Sequence, residues 1–396
     1  MKQVIWPVVQ RALKTYKVRA TFRAQVLEAV LYFCERDFVD MRHLAVQEAK
    51  ALLRSSMPYY LHASVVLFRS VLHRLDGDFA KSDEVISDFR SRGPRPLTRR
   101  DHALMGRLHI SQIDNKIKCY DRDVPSFIYK WAAEQPLSTL EIEVTSRLQS
   151  AAARFFQSVG EFSVARASLE DLMALSTAKP LRVNSRRLLV CRLADVCCEM
   201  GEHSKALDVL QPEFDSVTEL DRRRRLFWRL LLARAEANIG IGKLETAESV
   251  LGELRNVMPL EAHDLYDEQL HMRMLLAAAR IAYMRPGSHD EAVTRWRYAL
   301  EKVKSMHTLK ADGGFTAAMV YLSLSHAQLA NSDLDNARDS WDKGTRILGT
   351  EICEFSIPIV PTTWLHKVAS EVQESRGWPC RVMLPGGGRV DRAQPT

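Results

Sequence analysis

Apolar residues recur at intervals of three and four along most of the chain. Leu188, Leu189, Leu193 and Val196 form one such row, and Ala247, Val250, Leu251 and Leu254 form another. That is the period of a helix with one buried face. Strand signals, in the form of alternating β-branched segments joined by hairpin turns, are nearly absent. The helical rows come in pairs around a short motif: Gly, any residue, a bulky or ring side chain, two residues, Ala. It reads Gly160-Glu161-Phe162-Ser163-Val164-Ala165, then Gly201 to Ala206, Gly242 to Ala247 and Gly287 to Ala292. Ser332 to Ala337 follows with Ser for Gly, Gly77 to Ser82 has Ser for Ala, and Arg36 to Met41 is a degenerate first copy. A glycine here suits a helix end that needs a left-handed residue.

The spacing carries more weight than any single copy. The turn positions 36, 77, 160, 201, 242, 287 and 332 are separated by 41, 83, 41, 41, 45 and 45 residues, so a hidden copy is expected near 118. Seven residues before each turn stand Ala29, Ser70, Ser111, Ala153, Ala194, Ala235 and Ser325. Small side chains at one fixed position are what closely packed helices require. The exception is Arg280, with Ala279 beside it, where Pro286 marks a one-residue insertion. Pro58, Pro94, Pro96, Pro136, Pro180, Pro259 and the pair Gly313-Gly314 break the helices between units.

These elements resemble a tetratricopeptide repeat (TPR) array over residues 19–348. Ala292, Trp296 and Ala299, and then Ala337, Trp341 and Gly344, add the later positions of that family's pattern. The period of 41 to 45 exceeds the usual ~34 residues, as in kinesin-light-chain-like and STAND-type signalling proteins. The resemblance implies an all-α, right-handed superhelical solenoid of about eight helix pairs. Residues 1–18 are expected to form a basic entry segment and 349–376 a capping region. In that region Thr363 to Ser375 form a helix with Trp364, Val368 and Val372 on one face. Residues 377–396, with three consecutive glycines, read as a disordered tail.

Composition narrows the function classes. The chain has 396 residues, a formal charge of +7, and seven cysteines without C-x-x-C spacing, which fits reduced thiols rather than a disulfide or zinc framework. No run of ~18 apolar residues exists; the best stretch, Leu226 to Ala233, is broken by Arg229. A cytoplasmic or nuclear protein is expected. The acid-poor start, with no carboxylate before Glu28, also resembles a mitochondrial transit peptide. Gly240-Ile241-Gly242 follows a helix and reads as a turn, not a phosphate cradle. Cys197, Cys198 and His203 lack a fourth metal ligand. No catalytic, cofactor or metal constellation is found, and the chain is expected not to be an enzyme.

Two surfaces remain. By the resemblance, positions six, three and thirteen before each turn face a concave groove. They hold Gln112, Arg154, Asp195 and Glu236; Arg74, Asn115 and Gln157; and Arg147 and Arg229. Such a polar groove could clamp a peptide, its carboxylate or a partner helix. The plainer alternative is a solvated helix face. The second surface is an arginine-rich edge: Arg99 and Arg100, Arg186 and Arg187, and Arg222, Arg223, Arg224 and Arg225. It is interrupted by acidic units but could take nucleic acid or another polyanion. The expectation is a scaffold or adaptor that binds proteins through its groove. The alternatives are the polyanion-binding edge, or the repeat half of a larger STAND-type signalling protein.

Overall fold

The computed structural model describes residues 57–118, 142–178, 181–222, 224–262, 265–306, 314–348 and 361–378, with single residues or short pieces at 11, 46–47, 50–51, 123–124 and 126–128. Fourteen helices and no strand occur among the described residues. The degenerate first copy at 36, the entry segment apart from Arg11 and the tail beyond Trp378 lie outside them, as does Arg223. The chain divides into two compact units, one of residues up to Leu148 and one from Gln149 onward, apart from 120–122.

The first unit contains α1 (Tyr59–Leu75), α2 (Phe79–Arg92) and α3 (Arg99–Lys118). Each packs on the other two. The next helix, α4 (Ile142–Ser158), runs from the first unit's residues into the second's. The second unit continues with α5 (Phe162–Ala178), α6 (Val183–Glu199), α7 (His203–Asp215), α8 (Arg225–Gly240), α9 (Leu244–Val257), α10 (Leu265–Met284), α11 (His289–Ser305), α12 (Phe315–Ala330), α13 (Leu334–Leu348) and α14 (Thr362–Arg376). From α6 to α9, each first helix packs on its own second helix and on the next first helix, and each second helix packs on the next first helix. This is the packing of stacked helical hairpins, in which each repeat contacts only its neighbours.

The turns fall where the motif places them. Gly77, Gly160, Gly201, Gly242 and Gly287 all have φ between 76° and 82°. Ser332 adopts φ 60°, the only positive φ of a non-glycine residue among those described. The Gly201 N–H donates to the Cys198 carbonyl at 3.1 Å and the Glu202 N–H to Cys197 at 2.9 Å. The same pair of bonds recurs at 77, 160, 242 and 332, and it satisfies carbonyls the helix leaves open. The seventh repeat differs. There the helix ends three residues before the glycine instead of two, because Arg285 and Pro286 intervene and proline cannot donate. Counting back from the helix end, Ala279 takes the small-residue position and Arg280 moves one place on.

The alanines that close the motif are fully buried. Ala165, Ala206, Ala247, Ala292 and Ala337 are 0 % exposed. Trp296 and Trp341, four residues later, are the largest fully buried side chains. Gly344 cannot carry a side chain: a Cβ there would lie 2.9 Å from Leu322 and 3.1 Å from the Ala318 carbonyl. α14 packs on α12 with Trp364, Leu365, Val368 and Val372 buried. The Trp364 indole N–H donates to Ser323 Oγ at 3.1 Å.

Candidate functional site

The groove positions hold polar side chains that are more buried than a solvated face, and the two units use them differently. In the first unit Arg74 Nη1 donates to Asp114 at 3.1 Å and Nη2 to Ser111 Oγ at 2.9 Å. Gln112 accepts from Arg90 at 3.0 Å and donates to Ser87 at 3.2 Å, both on α2. Asn115 donates to Ser82 Oγ at 2.9 Å. All three are at least nine-tenths buried.

In the second unit the same positions connect successive first helices. Asp195 on α6 accepts from Arg229 on α8 at 2.9 Å through one carboxylate oxygen and from Arg273 on α10 at 3.0 Å through the other. Arg273 also donates to Glu236 on α8 at 3.0 Å, and Arg280 lies 3.7 Å from the second Glu236 oxygen. Arg273 therefore reaches past α8 to join α6 and α10. Side-chain exposure falls from 27 % at Arg229 to 18 % at Arg273, 14 % at Asp195 and 5 % at Glu236. Burial alone would raise the Asp195 carboxyl, but the Arg273 and Arg229 charges outweigh it and hold it below its ordinary value. Burial pulls Arg280 down, partly offset by Glu236.

Sequence spacing anticipated Asp195, Arg229 and Glu236 but not Arg273 or Arg280. With the seventh repeat shifted by the one residue at Pro286, they occupy the thirteenth and sixth positions before the turn. These are the positions of Arg229 and Glu236 in the sixth repeat. His326 holds the sixth position in the eighth repeat. Its Nε2 lies 3.1 Å from Tyr283 Oη and 2.7 Å from Glu371 on α14. On α4, Arg154 is part-exposed, Gln157 buried and Arg147 exposed.

The arginine-rich edge is extensively paired. Arg187, 3 % exposed, lies 3.2 Å from Asp221 and 3.6 Å from Glu213. Arg186 meets Glu213 at 2.7 Å, Arg222 meets Glu253 at 2.8 Å, Arg224 meets Asp221 at 3.4 Å and Arg225 meets Asp267 at 2.7 Å. Arg99 and Arg100 are exposed, with the Arg100 guanidinium 3.9 Å over the Tyr60 ring. Arg186, Arg187, Arg222 and Arg225, several of which oppose the helix macrodipole, are thus held by carboxylates of neighbouring helices and of inter-repeat loops. Gly240 closes α8 against the His203 ring, which a Cβ would meet at 2.3 Å. Cys191, Cys197 and Cys198 are buried in the core, and burial pushes their thiols up, that of Cys191 to about 12. No cluster of metal-ligating side chains occurs among the described residues, nor any helix long and apolar enough to cross a membrane.

No protein-family model matches the sequence, and no curated protein matches it. Among solved structures the chain is similar to the Rap protein complexed with competence and sporulation factor. The TM-score is 0.56 and the identity 11 %, over 79 % of this chain and 82 % of that one. What the two share at that identity is the fold, an all-α helical repeat.

Proposed function

We propose that the chain is a non-catalytic binding protein whose first-helix face in the second unit takes an extended peptide or a partner's helix. The observation that carries this reading is the row of charged side chains on the consecutive first helices α6, α8 and α10. They are cross-bonded and held in place, yet still touch solvent at Arg229, Arg273 and Asp195. A face of this kind needs little ordering when a ligand arrives, so charge-assisted hydrogen bonds to it are not offset by immobilising long side chains. Arg154 and Gln157 on α4 hold the corresponding positions of the fourth repeat. Rap adds support of a limited kind, since its solved complex contains competence and sporulation factor on a similar fold. The arginine-rich edge is the weaker candidate, because its described arginines in the second unit are tied to carboxylates of the same chain.

The test is crosslinking mass spectrometry of the full chain purified with its bound partner, beside an Arg147→Glu, Arg154→Glu, Arg229→Gln variant. Crosslinks from a protein or peptide to α4, α6 and α8 that vanish in the variant are the expected result. Crosslinks confined to residues 222–225 that survive the variant, or co-purifying nucleic acid, would move the site to the basic edge.

A further inference from the structure

We infer that Arg229 and Arg273 form a carboxylate-binding subsite on this face, and that Asp195 occupies it as an internal stand-in for an acidic group of the ligand. The inference rests on the peptide-face reading above and deepens it. Three observations converge. The two arginines come from different repeats, α8 and α10, and converge on one carboxylate, each taking a separate oxygen at 2.9 and 3.0 Å. The carboxylate comes from a third helix, α6, which packs on α8 as α8 packs on α10. The arginines keep 27 % and 18 % of their side-chain surface in solvent, so a second carboxylate can reach them from the open side.

A guanidinium pair has no preference between a carboxylate on its own chain and one on a ligand. The tethered one wins by proximity, because it is present at a high effective concentration. An acidic ligand must therefore displace Asp195, and its apparent affinity falls by the fraction of time the arginines are occupied. Glu236 remains after displacement, holding Arg273 at 3.0 Å and Arg280 at 3.7 Å. Arg273 is thus anchored from one side and keeps its direction while the other side exchanges. In this arrangement Asp195 sets a threshold: weakly acidic peptides are excluded, and those presenting a carboxylate in the right place are admitted.

The experiment is fluorescence polarisation with fluorescein-labelled hexaglutamate and hexaglutamine against the full chain at fixed salt. Asp195→Asn, which keeps the shape and removes the competing charge, should bind hexaglutamate about ten-fold or more tighter than the unmodified chain. Hexaglutamine should show no gain. Asp171→Asn, at an exposed site on α5, removes the same charge elsewhere and should leave hexaglutamate binding unchanged. Adding Arg229→Gln and Arg273→Gln to Asp195→Asn should abolish the gain. A folded Asp195→Asn that binds no tighter, or a gain that survives loss of both arginines, overturns the inference. Asp195→Ser serves if the Asn variant fails to fold by circular dichroism. If both fail, the arginine Nε resonances of the unmodified chain decide, assigned with Arg229→Lys and Arg273→Lys. They should shift with hexaglutamate, and unmoved resonances would sink the proposal. Equal binding of hexaglutamine with crosslinks to α6 and α8 would overturn the carboxylate subsite and leave the peptide face standing. Crosslinks that avoid the face while Asp195→Asn still gains affinity would do the reverse.

Discussion

Seven residues before the turn, the first unit carries Ser70 and Ser111 where the second carries Ala153, Ala194 and Ala235. The space is the same and the chemistry differs. In the first unit Ser70 Oγ lies 2.8 Å from Ser82 Oγ and 2.9 Å from Ser111 Oγ, and Ser82 donates to the Ser70 carbonyl at 2.8 Å. Asn115 and Arg74 close the network from either side. In the second unit the same contact is apolar at Ala153, Ala194 and Ala235, while Ser325 donates to the Ala337 carbonyl at 2.7 Å without a wider network, and polar groups along the first helices pair from repeat to repeat. Polar side chains at repeat positions thus serve the interior in one unit and the exposed face in the other. An interior network leaves few groups able to meet a ligand, whereas a partly exposed ladder keeps them in reach of one.

The comparison breaks most sharply at Arg273. Arg273→Met leaves Asp195 and Glu236 facing each other with one cation fewer. It should lower stability by about 3 kcal/mol, the lower end for breaking a buried pair since these groups keep some solvent. Chemical denaturation followed by circular dichroism measures it, and a loss below about 1 kcal/mol would show that the ladder is a surface decoration.

Acid separates the units next. Burial and the nearby Arg90 push His109, in the first unit, down to about 3 from an ordinary 6.5. The folded state therefore refuses a proton that the unfolded chain accepts. The associated stability is complete above pH 6.5 and is lost as pH falls toward 3, at about 1.4 kcal/mol per pH unit. Denaturation midpoints at pH 7, 6 and 5 should fall accordingly, and His109→Phe should flatten the dependence. His326 in the second unit is also lowered by burial, with Glu371 opposing the shift. Glu371→Gln should therefore steepen acid loss around the cap helix, read by amide exchange of residues 362–376.

Ser82→Ala is the interior test of the first unit. It strands Asn115 and removes both bonds between Ser82 and Ser70, at about 1–3 kcal/mol for buried groups left unpaired. Ala247→Ser, at the matching position of the second unit, has no such network to join and should be no more stable than the parent. The smallest effect expected is a gain: Ser332→Gly relieves a left-handed serine, raising stability by about 0.5–1 kcal/mol after the extra unfolded-state entropy of glycine is counted. A Tm that falls instead would mean that the Ser332 side chain is needed where it stands.

Much of this was legible in the sequence because it rests on local rules. Helix period, left-handed turn residues and small packing positions are fixed by backbone sterics and by how close two helices can come. They place the turns at 77, 160, 201, 242, 287 and 332, the alanines behind them and the capping helix without reference to the rest of the chain. The register slip at Pro286 was visible as a single misplaced arginine. Its consequence, Arg273 and Arg280 joining the inner row, appears only once the helix end is seen. The partners were not legible. Spacing puts Asp195, Glu236 and Arg229 on one face but is silent on whether they meet solvent or one another. That depends on how far each first helix is rotated and displaced from the next, which many side-chain contacts decide together. The same holds for Arg187 and Arg225, whose carboxylates come from loops and helices some thirty to forty residues away. A helical repeat writes its backbone in short-range code, because each turn and packing position answers to its immediate neighbours. Pairing between long charged side chains is settled only when three or more helices have docked, because only then are distances and solvent access defined.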